Sequence, residues 1–192
     1  YHDKDRHFLR NKYIYNTFDL PYLKVDWKIG QRNIVKRLQN FGINETQIKG
    51  KKILDIGSNV GGMLFEINKM GPSKALGIEY DKDKVDISNI ISKIHNFNKI
   101  TFLQKDVESE DFNNSFNDVF DVVFCLAVVE HLKNKERFIH KLSKICGKYL
   151  FIEGNSGTDI EWLNSELKTA GFSVVRYLGL SDDEKDEYNN NR

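Results

Sequence analysis

From Lys51 onward the apolar positions change spacing at regular intervals. Short apolar runs at Lys52 to Ile56, Ala75 to Glu79, Ile100 to Leu103, Val119 to Leu126, Lys148 to Ile152 and Phe172 to Leu178 read as six strands. The run from Val119 to Leu126 is apolar enough to be buried on both faces. Between the strands, apolar residues recur at three- and four-residue steps. Met63, Leu64, Ile67 and Met70 mark one helix face; Val85, Ile90, Ile91 and Ile94 mark a second. Phe138, Ile139, Leu142 and Ile145 mark a third, and Ile160, Leu163, Leu167 and Ala170 a fourth. Asp81 or Asp83 caps the second helix, Thr158 with Glu161 fits a capping box for the fourth, and Gly171 ends it. Strands alternating with helices of this length predict an α/β fold, a doubly wound and mostly parallel sheet with helices on both faces. Right-handed crossovers then bring the carboxyl ends of the strands to one edge, where ligands bind at the reversal of strand order.

Upstream the pattern is different. Residues 1 to 28 carry Tyr1, Phe8, Tyr13, Tyr15, Phe18, Tyr22 and Trp27 without a clear period, with Pro21 as the strongest breaker. They are expected to be irregular or short helical segments packed on the main body. Ile34, Val35, Leu38 and Phe41 predict an amphipathic helix over about 30 to 41, stopping near Gly42. The expected organisation is an N-terminal helical cap over 1–45, the sheet domain over 46–180, and a charged, Asn-rich, frayed tail over 181–192. No internal repeat or low-complexity linker interrupts it.

Composition adds bounds. The chain has 192 residues, 40% hydrophobic and 30% charged, which suits one soluble globular domain. No run of about 18 apolar residues predicts a membrane span, and the start Tyr1-His2-Asp3-Lys4 is no signal segment. The lack of an initiator Met is read as the mark of a piece of a longer protein. Net charge is +1, from 29 basic and 28 acidic residues, which argues neither for nor against nucleic acid. Cys125 and Cys146 fall on expected core elements and read as buried thiols in a reducing, cytoplasmic setting. There is no CxxC and the five histidines lack metal spacing, so no metal site is expected. Oligomeric state is not legible.

Candidate chemistry gathers at the strand ends. Leu54-Asp55-Ile56-Gly57-Ser58-Asn59-Val60-Gly61-Gly62 runs from strand through turn into helix. Gly57 permits a sharp turn and Gly61 a close approach of ligand to backbone. Such a loop alone is shared with dinucleotide and flavin proteins. Asp55 narrows the choice: a dehydrogenase fingerprint rarely needs an acid there, whereas a cofactor bearing an amino group does. Glu79 ends the second strand, 22 residues after Gly57, where a carboxylate accepts from both ribose hydroxyls. Tyr80 beside it is a candidate to lie against an adenine.

This segment resembles motif I of the class I S-adenosylmethionine-dependent methyltransferases: an acid, any residue, then Gly-x-Gly-x-Gly. Ser58-Asn59 departs from that pattern, but Asn tolerates a left-handed backbone, so the turn survives. The Gly-Ser-Asn-x-Gly form, with Gly71-Pro72-Ser73, is also similar to RNA 5′-phosphate and cap methyltransferases of the bicoid-interacting type. The resemblance covers about residues 50 to 178. It implies a Rossmann-like class I fold that binds S-adenosylmethionine through Asp55, Gly57, Ser58, Asn59, Gly61 and Glu79. It further implies an adenine contact at Asp106 and Val107, and a cofactor floor at Leu126 and Ala127. Relatives close their sheet with an antiparallel seventh strand, while this chain stops after the expected sixth. Arg32 is a candidate grip for the methionine carboxylate. Each of these residues also has a plain reading: Glu79 as a solvated acid, Asp106 as a turn residue, Tyr80 as packing, Gly61 as a helix-packing glycine, Arg32 as a surface arginine.

Methyl transfer needs mainly positioning. A hydroxyl acceptor adds a need for a base, for which Glu130 and His131 after the fourth strand are candidates. Glu153 and Asn155 after the fifth strand are expected on the same edge; His131 is equally a cap or packing residue. The expected activity is methyl transfer to a small molecule or saccharide, with RNA as the alternative acceptor. A non-catalytic cofactor-binding scaffold and a nicotinamide dehydrogenase are the readings of other classes.

Overall fold

In the computed structural model the described residues are 14–26, 30–155 and 157–180. Tyr1, Phe8, Tyr13, Trp27 and the 181–192 tail lie outside them. The described part opens with four short strands, β1 (Ile14–Asn16), β2 (Phe18–Leu20), β3 (Leu23–Val25) and β4 (Gly30–Arg32). Two helices follow, α1 (Ile34–Asn40) and α2 (Glu45–Ile48). The alternating part then runs β5 (Lys52–Ile56), α3 (Gly62–Asn68), β6 (Lys74–Glu79), α4 (Lys82–Ile94), β7 (Ile100–Gln104), α5 (Glu110–Ser115) and β8 (Phe120–Leu126). A 3-10 turn (Val129–His131), α6 (Lys135–Ile145), β9 (Cys146–Glu153) and α7 (Ile160–Thr169) complete it.

The five later strands form one parallel sheet in the order β7-β6-β5-β8-β9. The chain moves outward from β5 to β7, then returns to β8 on the other side of β5. Strand order therefore reverses between β5 and β8, and the crevice lies beyond Ile56 and Leu126. Because side chains alternate along a strand, β5 feeds two cores. Ile53 joins Leu38, Leu64, Phe65, Val85 and Phe102 on the α1, α3 and α4 face. Leu54 and Ile56 join Phe112, Ile139, Leu142, Leu163 and Leu167 on the α5, α6 and α7 face.

Two expectations are corrected. Where described, residues 1 to 28 are three-residue strands rather than the irregular or short helical segments expected, and the helices of the cap come after them. β1 pairs parallel with β4, and β2 with β3 through the Pro21-Tyr22 turn, where Tyr22 has φ 66°. Gly30–Arg32 is held in that pairing, so the expected helix opens only at Ile34, capped by Asn33. The expected sixth strand is also absent among the described residues: 172–178 is irregular, with Val174 84% exposed. Phe172 and Val175 pack into the second core instead of extending the sheet beside β9. A strand pattern without a ladder partner does not make a strand.

Local signals behaved better elsewhere. Asp81 caps α4 through its side chain. The cap of α7 is Asp159, whose carboxylate accepts from Trp162 N–H at 2.9 Å, rather than Thr158. Cys125 is buried and Cys146 partly so, and neither is in a disulfide. Burial pushes the Cys125 thiol far up and the Cys146 thiol up to about 11, so both stay protonated at neutral pH. No described helix is long and apolar enough to cross a membrane.

Candidate cofactor and acceptor site

The turn after β5 is fixed by backbone geometry. Gly57, Asn59 and Gly61 all take positive φ, at 75°, 50° and 85°. Asn59 thus adopts the left-handed conformation in the place where the usual motif has glycine. The Gly57 and Ser58 N–H groups both donate to the Ile78 carbonyl, at 2.8 and 3.1 Å, which ties the turn to β6. A Cβ at Gly61 would sit 2.5 Å from Phe102 Cζ and 2.8 Å from Phe65 Cζ. This glycine is therefore required by the aromatic floor under the loop as well as by its backbone angle. Ser58 Oγ is buried and has no hydrogen-bond partner.

Glu79, at the end of β6, is half-buried beside this turn. Its Oε2 accepts from Asn59 N–H at 2.9 Å and its Oε1 from Asp81 N–H at 3.1 Å. Each carboxylate oxygen keeps a second lone pair for a ligand hydroxyl. Tyr80 is 72% exposed at the same edge. After β7, Asp106 is exposed, and its Oδ1 accepts from Glu108 N–H at 2.8 Å in a tight turn, while Val107 packs on the second core. After β8, Leu126 is buried and Ala127 has φ 58°, with its N–H donating to the Glu153 carbonyl at 2.9 Å. The turn, Glu79, Asp106 and Ala127 thus stand at the carboxyl ends of four adjacent strands.

Behind the turn lies a buried charged group that sequence reasoning only partly found. Arg37 on α1 donates to Glu153 Oε2 at 2.9 Å and to Asn16 Oδ1 at 3.1 Å. Its guanidinium lies 5.5 Å from the Tyr15 ring centre. Arg32 is wholly buried, with Nη2 3.6 Å from Glu153 Oε1. Glu153 is therefore not on the open acceptor edge, as expected from its position, but clamped between two arginines. Burial raises the Asp55 carboxyl to about 7; the Glu79 charge adds to that, and Arg37 opposes it. A carboxyl so poised ionises readily once a cation approaches. The signal for Arg37 was present: with Ile34 and Leu38 it occupies the buried face of α1, and a charge on such a face needs a buried partner.

A second cluster joins the loops after β8 and β9. Glu130 is ion-paired with Lys135, and its Oε1 accepts from the Thr158 hydroxyl at 3.1 Å. His131 is exposed, and its Nε2 lies 3.4 Å from Asn155 Nδ2. Lys135 also sits 5.7 Å from the Trp162 ring centre. Among the described residues no three His, Cys, Asp or Glu side chains gather to hold a metal ion. A cavity of about 390 Å³, walled by Gln47, Lys51, Asp121, Lys148 and Tyr149, lies at the opposite, amino-terminal edge of the sheet and shares no residue with these groups.

Comparison with known proteins matches residues 47–166 to a family model described as a methyltransferase domain. A mitochondrial ubiquinone biosynthesis O-methyltransferase of Dictyostelium discoideum is 28% identical over 163 residues, covering 79% of this chain and 48% of that protein. A tRNA U34 carboxymethyltransferase of Helicobacter acinonychis (strain Sheeba) is 31% identical over 97 residues, covering 47% of this chain and 34% of that protein. The chain spans about half the length, or less, of these curated relatives. Among solved structures, the N-terminal domain of EvdMO1 with S-adenosylhomocysteine bound superposes with TM-score 0.67 at 15% identity, over 93% of this chain and 90% of that one. Magnesium protoporphyrin IX methyltransferase from Synechocystis PCC 6803 gives 0.62 at 20% identity, over 78% and 70%. These two show a shared Rossmann-like methyltransferase fold.

Proposed function

Because the chain belongs to the methyltransferase-domain family, we propose that it transfers a methyl group from S-adenosylmethionine to an acceptor bound at the ends of β8 and β9. The observation that carries this is Glu79, held by two backbone N–H groups beside a positive-φ turn with lone pairs left for two ribose hydroxyls. The residues fit the cofactor in other respects. Ser58 Oγ is a buried polar atom lacking a partner, and Asn59, Gly57 and Gly61 shape the loop at the methionine end. Asp55 answers the cofactor's amino group: burial holds its carboxyl up at about 7, and the arriving cation favours the ionised form. Arg32 and Arg37 outnumber the one carboxylate of Glu153 between them, and this reading directs the methionine carboxylate toward that pair. Asp106 and Val107 receive the adenine, Tyr80 covers it, and Leu126 and Ala127 form the floor.

S-adenosylmethionine supplies an activated methyl group, so this chain's own task is to bind, orient and exclude water. Glu130 and His131 stand where the acceptor enters. The preferred acceptor is a small molecule or saccharide, in line with the ubiquinone-pathway relative. RNA is the second reading, favoured by the tRNA-modifying relative. Incubation with methyl-labelled cofactor against separate small-molecule, saccharide and RNA pools distinguishes them. Label in the first two supports the preferred acceptor, and label in RNA alone overturns it. Binding without transfer to any pool supports a non-catalytic scaffold.

A further inference from the structure

The N-terminal strands reach the cofactor edge through one buried amide. Asn16, the last residue of β1, is 5% exposed. Its Oδ1 accepts from Arg37 Nη1 at 3.1 Å. A guanidinium can only donate, so the amide oxygen must face Arg37 and the Nδ2 group must point away from it. Arg37 is itself held, with Nη2 donating to Glu153 Oε2 at 2.9 Å. Asn16 also lies against Gly62, directly after the positive-φ turn: a Cβ on Gly62 would sit 2.7 Å from Asn16 Cβ and 3.1 Å from Phe18 Cδ1. The same segment is fastened to α3, where Asp19 N–H donates to Glu66 Oε1 at 3.3 Å and Lys69 Nζ to the Asp19 carbonyl at 3.2 Å. The Asn16 amide is thus fixed in place and direction beside the turn over residues 57–61. Its Nδ2 has no acceptor among the described residues, and unlike Ser58 Oγ it is not closed off from solvent.

We infer that Asn16 is a cofactor-binding residue whose Nδ2 donates to the methionine carboxylate, and that Arg37 is the positioning residue that orients it. This rests on the methyl-transfer reading above. A donor locked in this direction suits a carboxylate oxygen and offers nothing to an ammonium. Asn16 and Asp55 then divide the methionine end between them, the amide on the carboxylate side and the acid on the amino side. The positive charge of Arg32 and Arg37 draws the carboxylate in, and the amide fixes its direction through a hydrogen bond to an ionised group. The N-terminal strands are therefore a wall of the cofactor site, and not only a cover on the sheet domain. Gly62 lets that wall close, because a side chain there would push β1 away from the turn.

The test is calorimetric titration of the full chain with S-adenosylhomocysteine and with its decarboxylated analogue, which keeps the adenosine, the sulfur and the amine. Wild type is expected to bind the analogue at least about tenfold more weakly. Asn16→Asp keeps the shape and the Arg37 contact but sets a carboxylate against the ligand's carboxylate. It should weaken S-adenosylhomocysteine binding about a hundredfold and leave the analogue bound no more weakly than by wild type. Asn16→Ala removes the donor without adding charge, and should cost about tenfold for S-adenosylhomocysteine alone. Arg37→Lys keeps a cation on Glu153 but loses the fork that holds the amide, so a smaller loss with the same selectivity is expected. Retained binding of the analogue shows that each variant's pocket is folded. Equal losses for the two ligands in both Asn16 variants overturn the proposal, as does a wild type that binds the two equally well. Failure of the wild type to bind S-adenosylhomocysteine at all would instead overturn the methyl-transfer reading.

Discussion

The edge around β5 to β7 and the corner after β8 and β9 are held together by different means. In the first, backbone donors meet one carboxylate: Glu79 accepts from Asn59 and Asp81, and Gly57 and Ser58 are tied to Ile78. In the second, side chain meets side chain: Thr158 with Glu130, Asn155 with His131, Lys135 with Glu130 and Trp162. A backbone-held site tolerates change at most positions except its glycines and its carboxylate. A side-chain-held site can be rebuilt one residue at a time. The relatives' names differ in what they act on, ubiquinone biosynthesis in one and a tRNA in the other.

The most disruptive way to break the first region is Gly61→Val. It places a side chain at φ 85° and drives Cβ onto Phe102 and Phe65. A loss of about 4 kcal/mol in stability is expected from strain and overpacking together, with cofactor binding abolished; chemical denaturation and calorimetry read both. Glu79→Ala should leave the fold intact and weaken S-adenosylhomocysteine binding at least about tenfold, or about 1.4 kcal/mol.

Asp55→Asn sharpens the comparison by pH. The Asp55 pKa is raised from 3.8 to about 7, so between those values the folded chain keeps a proton that the unfolded chain has released. Its contribution to stability is complete below the lower value, falls as pH rises through the window, and is gone above it. Thermal denaturation of wild type across that window should lose roughly 10 °C relative to Asp55→Asn. Parallel curves for the two proteins would remove Asp55 as the titrating group. The smallest effect is expected from Thr158→Val, which unties the acceptor corner at about 1 kcal/mol or less and slows methyl transfer without changing cofactor affinity.

The central strands β5 and β8 were legible because they are buried on both faces. Lys52–Ile56 was read to the residue for that reason. The stretch 172–178 has the same look, and the difference lies in a ladder partner that no local pattern reports. The N-terminal strands were missed because three-residue strands are too short to show a period. Asp55, Glu79, Asp106 and Ala127 were expected at strand ends, and the fold places them at or just past the ends of β5, β6, β7 and β8. The clamp on Glu153 was not read from the sequence, because Arg37 lies 116 residues from Glu153 and 21 from Asn16, and only the fold brings them together.

The most direct measurement titrates S-adenosylhomocysteine into Glu79→Ala and Thr158→Val side by side with the wild type, with a nicotinamide dinucleotide as control ligand. The account predicts one-site binding to the wild type, the same affinity for Thr158→Val, at least about tenfold weaker binding for Glu79→Ala, and none of the dinucleotide. Equal affinity of Glu79→Ala and wild type, or binding of the dinucleotide in place of S-adenosylhomocysteine, would contradict it.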